Sequence, residues 1–206
     1  MLLYAVTDRA WLGGRTLVDQ VEDALRGGVT FVQLREKDLP FDEFVAQARQ
    51  IKRVTDRWGV PFVINDDIEV ALAVGADGAH VGQEDRDVAE ARALLGEGRI
   101  LGVSAQTVEQ AVRAQREGAD YLGVGAVFPT GSKPDAEDVS LEVLKEICAS
   151  VTIPVVAIGG ISEHNVLGLT GSGIAGIAVI SALFARPGIT GAAKALRDLC
   201  GKAAFA

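Results

Sequence analysis

Short runs of β-branched and aliphatic residues alternate along the whole chain with longer amphipathic stretches. The short runs fall at 2–6, 30–34, 61–64, 78–81, 100–103, 120–124, 154–158 and 174–180. Their enrichment in Val, Ile, Leu and aromatic residues predicts strands. Between them, helical patterns occupy 16–27, 41–58, 67–74, 86–95, 107–117, 140–149, 163–171 and 189–202. The second of these shows the period well: Phe41, Phe44, Val45, Ala48, Ile51 and Val54 form one apolar stripe. Glycine recurs where helices should stop, at Gly27-Gly28, Gly59, Gly75, Gly96, Gly118 and Gly171. Several of these stops belong to a loose internal echo. Gly-Ala-Asp-Gly-Ala-His-Val, from Gly75, and Gly-Ala-Asp-Tyr-Leu-Gly-Val, from Gly118, each read as a helix end, a tight turn and a new buried strand.

Eight such βα units close most economically into a (β/α)₈ barrel, an α/β TIM barrel forming a single catalytic domain over residues 1–206. A doubly wound open sheet is the alternative, but no Gly-rich fingerprint follows the first strand, where that fold often carries a nucleotide site. No linker or low-complexity segment marks a second domain.

Composition narrows the function classes. Nearly half of the 206 residues are hydrophobic, Gly is abundant at 24 and aromatic residues make up only 5%, as in many α/β enzymes. No apolar run approaches the roughly 18 residues needed to cross a bilayer. The first residues, Met1 to Asp8, lack the basic segment of a secretion signal, so a cytoplasmic protein is expected. A net charge of −8 argues against nucleic acid or an anionic membrane as partner. Any anion must therefore be bound in a local basic site. Cys148 and Cys200 lie in separate helical patterns with no metal-ligand spacing, and both read as reduced packing residues.

Active sites of this fold lie at the C-terminal ends of the strands, and the chemically distinctive residues follow the strands. After the second strand comes Gln33-Leu34-Arg35-Glu36-Lys37. If the extended backbone continues, Gln33, Arg35 and Lys37 share one face, while Leu34 and Glu36 face the other way and are structural. One amide and two cations suit a diphosphate, which Arg grips as a fork and Lys as a point charge. For this segment alone, the competing reading is a solvated strand end. The third strand ends in Asn65-Asp66-Asp67, the fourth in Gln83-Glu84-Asp85, the fifth in Ser104 and the sixth in a loop reaching Thr130-Gly131-Ser132-Lys133. The last two end in Gly159-Gly160-Ile161-Ser162 and Ile180-Ser181.

Two of these ends carry chemistry of their own. The loops after the seventh and eighth strands of such barrels commonly bind phosphate through backbone N–H groups. Gly159-Gly160 permits close approach there, and Ser162 can cap the helix that follows; a plain tight turn is the alternative. Asp66 and Asp85, on neighbouring strand ends, could together hold Mg²⁺, a hard cation that takes oxygen ligands and keeps substrate oxygens and water. Either Asp alone also reads as a helix N-cap, and Asp67 is the better cap if Asp66 is a ligand. His80 lies mid-strand and reads as a satisfied core residue rather than a base. His164 reads as solvated. No Ser/His/Asp or Cys/His arrangement supports nucleophilic catalysis.

Taken together, the chain resembles the thiamine-phosphate synthase family, also called thiamine-phosphate pyrophosphorylases. The resemblance is carried in family order by Tyr4–Asp8, Gln33–Lys37, Ile64–Asp66, Ala76–Asp85, Gly102–Ser104, Gly123–Thr130, Ala157–Ile161 and Val179–Ser181. It implies a transferase that joins a hydroxymethylpyrimidine diphosphate to a thiazole phosphate by dissociative substitution. By the same resemblance, Gln33, Arg35 and Lys37 bind the pyrimidine diphosphate, helped by Asn65, Ser104 and Lys133. Arg35, Lys37, Lys133 and Ser104 form the catalytic set, Asp66 and Asp85 hold Mg²⁺, and Thr130, Ser132, Gly160, Ile180 and Ser181 hold the thiazole phosphate. The polar stretch 130–138 is expected to close over the site and exclude water. Asp67 stands where many relatives have Arg, and Gly131-Ser132 replaces a Thr-rich pair. Two rivals share parts of the pattern. A thiazole tautomerase of the same fold would carry its histidine near Ala126, where there is none, and a non-catalytic phosphate-binding protein would not need the paired aspartates or the Gln33/Arg35/Lys37 trio.

Overall fold

Side-chain caps set the helix starts. Thr16 accepts from the Asp19 N–H while Asp19 reaches back to the Thr16 N–H, a capping box that opens α1 (Leu17–Arg26). Asp67 opens α3 (Ile68–Val74), Asp87 opens α4 (Val88–Leu95), Thr107 opens α5 (Val108–Arg116) and Ser140 opens α6 (Leu141–Ser150), each accepting from a first-turn amide. The longest helix, α2 (Phe41–Trp58), ends at Gly59 in the left-handed conformation and buries the stripe Phe44, Val45, Ala48, Ile51 and Val54. Phe41, at the head of the expected stripe, is instead half exposed.

In this computed structural model, which describes residues 1–83, 86–130, 139–203 and 205, the strands are β1 (Leu3–Val6), β2 (Phe31–Leu34), β3 (Phe62–Asn65), β4 (Gly78–Val81), β5 (Ile100–Ala105), β6 (Tyr121–Val124), β7 (Val155–Ile158) and β8 (Gly176–Val179). All neighbours pair in parallel and β8 closes on β1, with Leu3 opposite Ile177, so the sheet is a closed (β/α)₈ barrel. The open-sheet alternative is thereby excluded. No helix among the described residues is long and apolar enough to cross a membrane.

Two apolar layers follow from the alternation of strand side chains. Outward residues such as Val32, Leu34, Ile64, Leu101 and Ile177 pack beneath the helices. Inward residues Tyr4, Val6, Phe31, Val63, Tyr121, Val156 and Ala178 fill the lumen. Tyr121 lies against the bare backbone of Gly102, where a Cβ would come within 2.2 Å of its ring. Among the described residues this layer fills the lower lumen, beneath the mouth.

Two segments depart from the sequence pattern. The helix expected over 163–171 is a short 3-10 turn, Val166–Leu169. Asn165 stitches the backbone there, accepting from Ser162 N at 2.8 Å and donating to Gly160 O at 2.9 Å, and Gly168 and Gly171 weaken any longer helix. Ser162 therefore caps no full helix, although its hydroxyl accepts from the His164 N–H. After β8 the chain turns into a one-turn helix α7 (Ser181–Phe184) before the expected last helix, α8 (Ile189–Ala203).

Candidate active site

The ladder pairing of β2 ends at Leu34, and the chain bends at Lys37 and Asp38. Burial falls steadily from Gln33 through Arg35 to Lys37, and Arg35 and Lys37 line one cavity at the mouth. Gln33 is buried in the lumen and donates from Nε2 to the Tyr4 hydroxyl at 2.7 Å. Arg35 is half-buried at the mouth; its N–H donates to Thr7 Oγ1 at 3.0 Å and its guanidinium lies 3.9 Å from Asp8 Oδ2. Lys37 is exposed on the rim. Leu34 packs in the outer core, as expected for a residue facing the other way. Glu36 is structural too: Arg9 Nε donates to its Oε2 at 2.6 Å while Arg9 Nη2 donates to Gln47 on α2 at 2.8 Å, which ties the β2 loop to two neighbouring elements.

Lys37 then meets the end of β3. A cavity of about 530 Å³ at the mouth is lined by Lys37, Asn65, Asp66 and Asp67, and a smaller one of about 290 Å³, lined by Asp8, Arg35 and Lys37, adjoins it. Asp67 is spent on capping α3, accepting from Val70 N at 2.8 Å. Asp66 is exposed, its backbone in the left-handed region at φ 63° and its N–H donating to His80 O at 2.8 Å. The expected division of labour between the two aspartates is thus present as far as Asp67 goes. The cavity wall sets Lys37 among the carboxylates of Glu36, Asp38, Asp66, Asp67 and Glu69, and Asp66, presented at a strand end, fits a hard cation that needs one or two protein oxygen ligands. Among the described residues no group of three or more His, Cys, Asp or Glu is arranged to hold a metal. The second expected ligand, Asp85, lies outside the described residues, as do Ser132, Lys133 and the segment 131–138.

Across the mouth, the β7 end presses on the loop after β6. A Cβ on Gly160, at φ +64°, would come within 2.6 Å of both the Phe128 and Pro129 carbonyl oxygens, so only glycine fits there. Phe128 N donates to Gly159 O at 3.2 Å, which holds the two loops together just before half-buried Thr130. Ile180 and Ser181 open α7 with no side-chain cap on its first amides. The structure therefore gathers Gly160, Thr130, Ile180 and Ser181 on the β6–β8 side of the mouth and Arg35, Lys37, Asn65 and Asp66 on the β2–β3 side.

Beneath both sides runs a polar chain that the strand pattern does not foretell. From Gln33 Nε2 it passes to Tyr4 OH, then to Tyr121 OH at 2.8 Å, to His80 Nδ1 at 2.9 Å, and from His80 Nε2 to Ser104 Oγ at 3.0 Å. His80 is thus satisfied within the lumen, as its mid-strand position suggests. Burial drives the pKa values of both tyrosines above the usual phenol range. For Tyr121 the neighbouring Tyr4 adds to the effect. Ser104 is anchored from the other side as well, its carbonyl accepting from Gln83 Nε2 at 2.6 Å. The signal available in the sequence was a set of polar residues, Tyr4, Gln33, His80, Ser104 and Tyr121, each within or beside a buried strand.

Comparison with known proteins places the chain in one family and one fold. A family model described as thiamine monophosphate synthase matches residues 3–183. The chain is 53% identical over 199 residues to a thiamine-phosphate synthase of Clostridium tetani, covering 97% of this chain and 94% of that one. It is 49% identical over 197 residues to that of Ruminiclostridium cellulolyticum, covering 96% and 94%. The solved structure of a thiamine phosphate pyrophosphorylase from Pyrococcus furiosus superposes with a TM-score of 0.91 at 39% identity, covering 98% of this chain and 96% of the other.

Proposed function

This chain belongs to the thiamine monophosphate synthase family, and on that premise we propose that it is a transferase acting on two small-molecule substrates. It joins 4-amino-2-methyl-5-hydroxymethylpyrimidine diphosphate to 4-methyl-5-(2-hydroxyethyl)thiazole phosphate. The products are thiamine phosphate and pyrophosphate. The observation that carries the reading is the shared cavity in which Lys37 of the β2 end meets Asn65 and Asp66 of the β3 end, with Arg35 beside it.

In the proposed mechanism the bond between the pyrimidine methylene carbon and the diphosphate oxygen breaks first, and its electron pair leaves with the diphosphate. The thiazole nitrogen then donates its lone pair to the resulting methylene cation. Arg35 and Lys37, joined by Lys133, stabilise the charge that accumulates on the leaving group, an electrostatic effect that in most enzymes accelerates the reaction more than any other. Asp66 and Asp85 would hold Mg²⁺, which would add positive charge beside the departing diphosphate. Gln33, Asn65 and Ser104 orient the pyrimidine over the lumen. Thr130, Ser132, Gly160, Ile180 and Ser181 hold the thiazole phosphate on the opposite side, so the nitrogen faces the carbon that it attacks. No side-chain nucleophile is required. The tautomerase alternative is disfavoured by Ala126, a buried residue where that enzyme would need a histidine.

The test is to mix the purified protein with both substrates and Mg²⁺ and look for thiamine phosphate. The proposal expects product that depends on both substrates. Failure to form it while both ligands still bind would leave only a binding protein.

A further inference from the structure

The lumen chain takes its direction from the Gln33 amide, whose Nε2 is turned to the Tyr4 hydroxyl. Both tyrosines are buried, and burial keeps both phenols protonated, so each has one O–H to donate. Gln33 already donates to the Tyr4 oxygen, leaving the Tyr4 proton to the Tyr121 oxygen at 2.8 Å. Tyr121, accepting there, donates its own proton to His80 Nδ1 at 2.9 Å. With Gln33 Nε2 as the donor, reversing any single link strands a buried O–H without an acceptor, at a cost of about 1–3 kcal/mol; only the complete inverse, with the Gln33 amide turned over and the imidazole proton on Nδ1, satisfies the same atoms. With Nδ1 an acceptor, the imidazole carries its proton on Nε2, which donates to Ser104 Oγ at 3.0 Å.

The two ends of the chain are then committed. At one end, the Gln33 amide has its NH₂ turned toward Tyr4, which leaves its carbonyl oxygen to act as an acceptor. At the other, the Ser104 oxygen receives the His80 proton, which leaves its own O–H to act as a donor. We propose that Tyr4, Tyr121 and His80 are positioning residues that fix the hydrogen-bond polarity of the pyrimidine pocket, holding Gln33 as acceptor and Ser104 as donor. This rests on the proposed reaction for the identity of the ligand. A 4-aminopyrimidine matches that polarity: its exocyclic amine donates and a ring nitrogen accepts. The corresponding 4-oxopyrimidine presents a carbonyl and a ring N–H in their place, so it opposes an acceptor to Gln33 and a donor to Ser104. A site built to hydrogen-bond one pattern rejects its inverse strongly, because its buried polar groups are left unpaired.

Two measurements test the assignment. Imidazole nitrogen NMR of the free protein, which has His80 and His164 only, should show His80 protonated at Nε2. A proton on Nδ1 would overturn the proposal. Calorimetric binding of the 4-amino and 4-oxo pyrimidine diphosphates, without thiazole phosphate, should show the wild type favouring the amino form. Tyr121→Phe keeps the ring against Gly102 but cuts the chain, and it should reduce that preference roughly tenfold. Tyr4→Phe, which frees the Gln33 amide to rotate, should do the same without touching Tyr121. If both variants bind the two ligands with the wild-type ratio, the tyrosines serve packing alone and the proposal fails. Thiamine phosphate formation by the wild type separates the two levels. Product together with an Nδ1 proton refutes only the polarity assignment. Absence of product together with the Nε2 proton and the amino preference refutes only the reaction.

Discussion

Asp66 alone among the described non-glycine residues takes a positive φ, at 63°. A short polar side chain tolerates that conformation, but it still costs about 1–2 kcal/mol. Strain of this kind collects where function needs a group held in one place. The consequence is a separation of activity from stability. Asp66→Gly relieves the backbone and removes the carboxylate, so thermal and urea unfolding should move by no more than about 1 kcal/mol. Turnover should fall by roughly 10–100-fold or more on the proposed role in holding the metal. Parallel loss of stability and turnover would count against that role. At this scale the Asp67 cap was legible in the sequence, because a helix start calls for a short polar acceptor at that position. The fate of Gln33 was not. Extended alternation assigns it a face, but only tertiary structure decides that the strand stops at Leu34 and that the amide descends to Tyr4.

Elements were more legible than single side chains, since caps and stops are local. Thr16, Asp67, Thr107 and Ser140 sit at or beside the expected starts and cap their helices. The 3-10 turn at Val166–Leu169 was missed, because apolar spacing does not register the side-chain stitching by Asn165. The internal echo acquires a physical meaning once the strands are in place. In both Gly-Ala-Asp copies the aspartate reaches across to the start of the preceding strand. Asp77 accepts from Phe62 N at 2.8 Å, and Asp120 accepts from Leu101 N at 2.7 Å and from Arg92 Nη2 at 2.6 Å. These contacts seal the N-terminal rim of the barrel. Asp120→Ala should therefore lower unfolding stability by about 1–2 kcal/mol, because the Leu101 amide loses its side-chain acceptor while Arg92 keeps its bonds to the Gly96, Arg99 and Gly118 carbonyls. Activity per folded molecule should be unchanged in a stopped assay below the melting range.

For the whole molecule, eight βα units gave closure directly, but the lumen could not be read from sequence. Strands of a parallel barrel are covered on both faces, so hydrophobicity does not tell inward from outward residues. The in-phase set Tyr4, Gln33, His80, Ser104 and Tyr121 becomes a chain only when the closed register is known. Burial also settles the cysteines: the Cys148 and Cys200 thiols are both pushed up from 9.0 to about 11. A raised thiol pKa contributes stability that is complete below about pH 9 and lost as the pH climbs toward 11. Urea midpoints should therefore decline over that alkaline window. Near neutrality a thiol reagent should label the native protein slowly and the unfolded protein fast. The rim that seals the barrel at Asp77 and Asp120 lies at the opposite end of the strands from the rim that carries Arg35, Lys37 and Asp66. Defects in one should be invisible to the other, so that Asp66→Gly and Asp120→Ala combined give the sum of their single unfolding energies to within about 0.5 kcal/mol. Such a molecule can be hardened from below while its specificity is rebuilt from above, with each change scored on its own.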